Sequence, residues 1–247
     1  MAGLRSVTMT IGSRSAKDTL FDGFARMAAT LASGRRLEII DVLAQAPRTV
    51  EELAVAICQS VANTSHHLRR LAHDGLVRSQ KDGRHVTYRL SSDQVYELWR
   101  SLQDAAAFHE DDLEARVEAY LGDQTEIEVI DRGTLQQRLQ SGDEVVVLDV
   151  RPVEEYDAGH IEGAISAPPE RLGELLAELP IGPDIVAYCR GQYCSYADQA
   201  VRHLRARGRT AFRLEEGYRE WASNHHYSPG EAESIPTDTA ADIRRWS

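Results

Sequence analysis

The stretch Asp184-Ile185-Val186-Ala187-Tyr188-Cys189-Arg190-Gly191-Gln192-Tyr193-Cys194-Ser195 starts as an apolar run of strand length and ends where a helical period begins. Apolar residues without alternation suit a strand covered on both faces, as in parallel sheets. A second run of this kind, Glu144-Val145-Val146-Val147-Leu148-Asp149-Val150, lies upstream, and helical stretches at 134–140, 170–179, 195–207 and 217–223 separate and follow the two. This order predicts an α/β domain with a parallel sheet over residues 126–225. Residues 226–247 are rich in Ser, Pro, Glu, Asp and Thr without apolar period, and read as a flexible acidic tail.

Cys189 closes the strand, and the loop after it feeds a helix N-terminus. A thiol placed there is surrounded by backbone N–H donors and the positive end of a helix, which favours its thiolate. Arg190 adds a cation, and Gly191 lets the loop curl so that its amides cradle an anion one atom larger than the sulfur itself. Cys189 is therefore the candidate catalytic residue, framed by Arg190, Gly191, Gln192, Tyr193, Cys194 and Ser195. Three cysteines in the whole chain form neither a disulfide framework nor a paired-cysteine zinc site, so their chemistry is expected to be reactive. No metal and no cofactor is expected.

Before residue 122 the grammar differs. Period 3.6 dominates from Leu20, Phe21, Phe24, Met27 and Leu31 onward, after an N-terminal tail at 1–17. Short helices are predicted at 36–44, at 49–57 with Thr49 and Glu52 as a capping box, and at 60–73 with Ser60 as N-cap. Asp82-Gly83 between two β-rich runs signals a hairpin, with a turn at 81–83, and a long helix, or two, runs from 93 to about 121. Three short helices and a basic hairpin are the parts of a winged helix-turn-helix, so the fold class is a mainly α winged helix-turn-helix at 18–122 followed by the α/β domain.

Charge divides the same way. Residues 1–100 carry 14 Lys and Arg against 10 Asp and Glu, while 101–247 carry 14 against 29. An acidic second half repels a polyanion, which confines nucleic-acid binding to the first. In the third short helix Val61, Thr64, Leu68 and Leu71 form the inward stripe. Ser60, Ala62, Asn63, Ser65, His66 and Arg69 are thereby the candidate groove-facing residues, and Lys81, Arg84 and Arg89 of the hairpin the candidate phosphate contacts.

Residues 18–100 resemble the ArsR/SmtB winged-helix repressors through Ser65-His66-His67-Leu68-Arg69-Arg70-Leu71, Asp74-Gly75-Leu76-Val77 and Gly83-Arg84-His85-Val86-Thr87-Tyr88-Arg89-Leu90. The resemblance implies a homodimer built on the terminal helices that binds double-stranded operator DNA with inverted-repeat symmetry. Metal-sensing members carry a Cys-x-Cys before the reading helix or His and acidic ligands on the dimer helix. Here the first region holds Cys58 alone and the second His109 beside Glu110, Asp111 and Asp112, so the signal is expected elsewhere.

Residues 126–225 resemble a rhodanese domain through Leu148-Asp149-Val150-Arg151, Glu154-Glu155-Tyr156, Gly159-His160-Ile161-Glu162-Gly163-Ala164, Pro168 and Gly217-Tyr218-Arg219-Glu220-Trp221. Cys189 falls on that family's catalytic position. The resemblance implies a persulfide on Cys189, received from a sulfane-sulfur donor and passed to a thiol acceptor, with Asp149, Arg151, Glu155 and His160 supporting the fold. Where thiosulfate-using members place a cation near the loop's end, this chain has Cys194, which offers a thiol to attack a persulfidated Cys189 and give a disulfide or to share a polysulfide bridge with it; the alternative is a space-filling residue at the first helical turn.

The combination predicts a cytoplasmic, homodimeric transcriptional regulator, a repressor, that senses reactive sulfur species and has no membrane partner; no stretch of about 18 apolar residues is free of charge. Two other readings stay open at this point. One is a rhodanese-type sulfurtransferase whose winged helix serves dimerisation; the other is a thiol redox sensor using Cys189 and Cys194 without sulfur transfer.

Overall fold

The computed structural model describes residues 13–223. The first part runs through helices α1 (Arg14–Leu31) and α2 (Gly34–Gln45), strand β1 (Arg48–Thr49), helices α3 (Val50–Ala56) and α4 (Val61–His73), strands β2 (Val77–Asp82) and β3 (His85–Leu90), and helices α5 (Asp93–His109) and α6 (Leu113–Leu121). Its strands form an antiparallel sheet in the order β1-β3-β2. The capping box forms: Glu52 N donates to Thr49 Oγ1 at 3.3 Å and Thr49 N to Glu52 Oε2 at 2.6 Å. Ile39, Ile40 and Leu43 of α2 pack with Leu53 of α3 and Leu68 and Leu71 of α4, and Val95 and Trp99 of α5 close this core.

Several local expectations change. Val61 is 44% exposed, because the buried stripe of α4 begins one turn later at Thr64. Strand β2 continues through Asp82, so the turn is Gly83-Arg84, and Gly83 supplies its positive φ of 58°. Helix α1 starts at Arg14, inside the stretch read as a tail, because Ser13 caps it through a 3.2 Å bond from Ala16 N. Its period-3.6 residues Leu20, Phe21 and Phe24 are exposed, while Leu31 at its end is buried. The acidic tail lies outside the described residues.

The second part contains β4 (Val129–Ile130), α7 (Arg132–Ser141), β5 (Val145–Asp149), α8 (Val153–Ala158), β6 (Ile165–Ser166), α9 (Leu172–Leu175), β7 (Asp184–Tyr188), α10 (Ser195–Arg205), β8 (Ala211–Leu214) and α11 (Tyr218–Ala222). All strand pairs are parallel, in the order β4-β8-β7-β5-β6. Central β7 explains its own apolar run: Ile185, Ala187 and Cys189 pack towards Val201 and Leu204 of α10, while Val186 and Tyr188 pack towards Leu135 and Ile161 on the opposite face. The helix expected at 170–179 shortens to Leu172–Leu175. Its continuation is a set of turns, with i→i+3 bonds from Ala177 N to Glu174 O and Glu178 N to Leu175 O beside one i→i+4 bond from Leu179 N to Leu175 O, ahead of Pro180, which disfavours further helix.

A buried polar cluster sits at the end of β5. Arg151 is fully buried and donates to Asp149 through Nε at 2.9 Å and Nη2 at 2.6 Å, and to Gly159 O at 2.6 Å. Tyr188 donates its hydroxyl to Asp149 Oδ2 at 2.6 Å and accepts from Ile161 N at 3.0 Å; burial and the adjacent Asp149 hold its phenol well above the ordinary range, so it keeps its proton.

The two parts meet through polar side chains. Arg151 Nη1 donates to Gln45 Oε1 of α2 at 3.2 Å, Arg48 Nη2 to Glu155 Oε1 at 3.2 Å, and Tyr96 Oη of α5 to Glu220 Oε1 of α11 at 2.6 Å. Arg219 pairs with Asp93 at 2.7 Å, and Arg202 of α10 holds the carbonyl of Asp123 at 2.7 Å, just after α6.

Arg151→Met leaves Asp149 charged and buried, and is expected to lower unfolding stability by about 3–5 kcal/mol in denaturant titrations. Adding Asp149→Leu should recover part of that loss; a double variant no more stable than the single one would show that the uncompensated charge is not the cause.

Candidate functional site

The loop after β7 lies at the carboxyl end of a central parallel strand, where open α/β sheets place their binding crevices. Cys189 is 2% exposed and packs in the core under α10. Cys194 is half-buried and is the N-cap of α10, and the structure joins the two in a disulfide with a Cα–Cα separation of 6.3 Å. No side chain caps α10, which leaves its first-turn N–H groups without a side-chain acceptor. Inside the loop Cys194 N donates to Gly191 O at 3.1 Å, and Gly191 has a φ of 150°.

Residues of the last signature brace this loop from behind. Tyr218 N donates to Cys189 O at 3.2 Å. A Cβ on Gly217 would overlap the Arg190 carbonyl and lie 2.7 Å from Gly191 N, so only glycine permits the two backbones to touch. Glu220 in turn accepts from Gly217 N at 3.1 Å.

Arg190 turns away from the role expected of it. Its guanidinium donates to Glu155 through Nε at 3.0 Å and Nη2 at 2.6 Å rather than serving as a cation for the thiol. Glu155 is wholly buried, and the same Oε1 receives Arg48. His160, in the same signature, is exposed and stacks on Tyr156 with ring centroids 3.8 Å apart.

The loop faces the first part of the chain across a cavity of about 590 Å³. Residues 190–196 line one side; Leu37 and Asp41 of α2 and Tyr96, Trp99, Arg100 and Gln103 of α5 line the other. Asp41 Oδ1 accepts from Trp99 Nε1 at 3.1 Å, and burial pushes its carboxyl above the ordinary range against the pull of Arg190. Arg100 pairs with Glu220 at 3.2 Å. Cys58, exposed and held at a φ of 50° after α3, borders the same cavity. No sequence signal singled out Arg48, Asp41, Tyr96, Trp99, Arg100 or Gln103 for this site, since their relation to the loop depends on how the two parts pack, whereas Glu220 belongs to the last signature.

The candidate groove-facing residues form a separate surface. On α4, Ala62, Asn63, His66 and Arg69 are exposed and Ser65 is half-buried, whereas the Ser60 hydroxyl accepts from Asn63 N at 3.2 Å as the cap. Lys81, Arg84 and Arg89 are exposed on the hairpin, with Arg84 at its tip and Arg89 opposite Arg78 across the strands. Among the described residues, no cluster of His, Cys, Asp and Glu is arranged to hold a metal ion, and no helix is long and apolar enough to cross a membrane.

Comparison with known proteins matches residues 33–79 to the bacterial regulatory protein, arsR family, and residues 131–224 to the rhodanese-like domain. The chain is 42% identical to the HTH-type transcriptional regulator Rv0324 of Mycobacterium tuberculosis over 85% of its own length and 92% of the relative's. Over 32% of its length it is 34% identical to a sulfurtransferase of Allochromatium vinosum, 72% of which is covered. Among solved structures, the homodimeric winged helix-turn-helix domain of Mb0332 from Mycobacterium bovis is similar at 35% identity and a TM-score of 0.38, covering 41% of this chain and 94% of that one.

The burial order of the three thiols sets their accessibility. Without reductant, Cys58 is expected to be the one cysteine labelled by a maleimide in the folded protein, and after gentle reduction Cys194 should label faster than Cys189 in peptide maps. Labelling of Cys189 ahead of Cys194 would contradict the geometry.

Proposed function

The chain belongs to the HTH-type transcriptional regulators of the arsR family that carry a C-terminal rhodanese-like domain, and from this premise we propose that it is a sulfur-responsive repressor whose Cys189 and Cys194 report reactive sulfur to operator DNA. The observation that carries the reading is Glu155. Its buried carboxylate is bound both by Arg190, which follows Cys189, and by Arg48, which begins β1 and immediately precedes the Thr49 cap of α3. Arg48 and Thr49 also pair with Tyr88 and Thr87 of the hairpin. A change of loop conformation therefore bears on the helix-turn-helix and the wing through one shared charge.

The chemistry needs no cofactor. The Cys189 thiolate attacks the terminal sulfur of a donor R–S–SH, forming Cys189–S–SH and releasing R–S⁻ with the bonding electron pair. The Cys194 thiolate then attacks the Cys189 sulfur, giving the Cys189–Cys194 disulfide and expelling HS⁻. The two thiols supply two electrons, and the transferred sulfur leaves reduced as hydrosulfide. Enclosure of the loop by α2 and α5 suits a device that reports its state better than one that turns over with bulky acceptors.

Two copies complete the DNA-binding form. The exposed Leu20, Phe21 and Phe24 of α1, with Leu98, Leu102 and Phe108 of α5, are the apolar surface that a second copy would cover. Asn63, His66 and Arg69 then meet base edges, and Lys81, Arg84 and Arg89 the phosphates.

A mobility assay on operator DNA from upstream of the protein's own gene tests this, using the full chain reduced and after treatment with a persulfide donor. Wild type should change affinity by about 5–150-fold on treatment, the usual size of coupling between sites, with one hydrosulfide released per disulfide formed. Cys189→Ser should not respond. Arg48→Met should form the disulfide and release hydrosulfide as wild type does, and bind DNA when reduced, yet lose most of the response. A wild-type affinity indifferent to sulfur would overturn the reading, and disulfide formation without hydrosulfide would favour direct oxidation of the pair.

A further inference from the structure

Every residue from Arg190 to Tyr196 is half-buried and borders the cavity between the two parts, and Cys189 beneath them is buried. The thiol pair therefore opens on that cavity through Cys194, which is bonded to Cys189, and the opposite wall belongs to the DNA-binding half. Resting on the sulfur-responsive reading, we propose that the cavity is the binding site of a small organic persulfide, the zwitterionic persulfide of an amino-acid-type thiol, and that α2 and α5 set its specificity.

Size supports a small molecule over a protein donor. A volume of about 590 Å³ falls within the ~300–1,000 Å³ of small-molecule sites and leaves little room for a protein loop carrying a persulfide. The charge pattern separates an organic persulfide from a compact dianion such as thiosulfate. Each cation on the wall already has a carboxylate: Arg190 pairs with Glu155 at 2.6 Å, Arg100 with Glu220 at 3.2 Å, and Arg35 with Glu38 at 2.7 Å. A multivalent anion would have to break such pairs and be desolvated at the same time. A donor with balanced charge and an apolar body meets what the wall offers instead: the rings of Tyr96 and Trp99, the Asp41 carboxyl and the Gln103 amide.

In the transfer, R–S–SH gives its terminal sulfur to the Cys189 thiolate and leaves as R–S⁻. The leaving thiolate is small enough to diffuse out of the cavity, so the loop can proceed to Cys194.

The test is the rate at which reduced full-length Cys194→Ser protein, in which no second thiol removes the transferred sulfur, gains one sulfur on Cys189, followed by quenched intact mass and peptide mapping. The probes are cysteine persulfide, thiosulfate and a persulfidated carrier protein. Cysteine persulfide should load at least tenfold faster than either of the others, with a rate that saturates in its concentration, as a bound complex requires. Gln103→Trp, which fills the cavity from α5, should slow loading at least tenfold while reduced protein keeps its affinity for operator DNA. A rate linear in cysteine persulfide, equal loading by thiosulfate or by the carrier protein, or a DNA-competent Gln103→Trp that loads as fast as its Cys194→Ser parent would overturn the site. Failure of every donor to load Cys189 in the Cys194→Ser protein would instead reject the sulfur-responsive reading itself.

Discussion

The Glu155 carboxylate is shut away from water between two guanidinium groups, one from each part of the chain. A lone carboxylate in that place would cost several kcal/mol, and the cost is offset only while its partners keep their geometry. Arg190 provides two bonds and Arg48 a third, so the conformation of the thiol loop and the position of β1 are constrained by one charge. Other contacts between the two parts follow the same rule. Gln45 meets Arg151, and Tyr96 and Arg100 meet Glu220, so the partners on the α/β side either belong to the motifs around the loop or brace it from behind.

This arrangement changes what the loop is for. The end of a central parallel strand and the start of a helix make a place where a thiolate is stable, as any active-site cysteine needs. Here the place is covered by α2 and α5. Arg190, which by proximity would serve the thiol, is committed to Glu155, and the Arg100 guanidinium across the cavity is committed to Glu220. Of the charges that could have favoured a small inorganic anion, Arg100 instead joins the two parts and Arg190 fixes Glu155.

Much of this protein was legible residue by residue. The helix caps at Thr49 and Ser60, the glycine of the hairpin turn, the apolar runs of β5 and β7 and the thiols flanking the loop all depend on neighbours within a few positions. A local pattern can have two solutions. The period of α1 is the same whether its stripe meets this chain's core or a surface left for another copy, and the composition of 170–179 suits a longer helix than the Leu172–Leu175 that forms ahead of Pro180.

The sequence by itself determined the division into a winged helix-turn-helix and a parallel α/β domain, the basic first part, and a strand that delivers Cys189 to a helix N-terminus. These follow from periodicity, caps and turn chemistry, which are short-range. Only the tertiary structure decided that the loop faces the DNA-binding half, that Arg190 binds Glu155, and that Arg48, Asp41, Tyr96, Trp99 and Gln103 border or support the site. The physical reason is distance along the chain. Tyr96 and Glu220 are 124 residues apart and Arg48 and Glu155 are 107 apart, and a polar side chain carries no local mark of the partner that packing will bring to it.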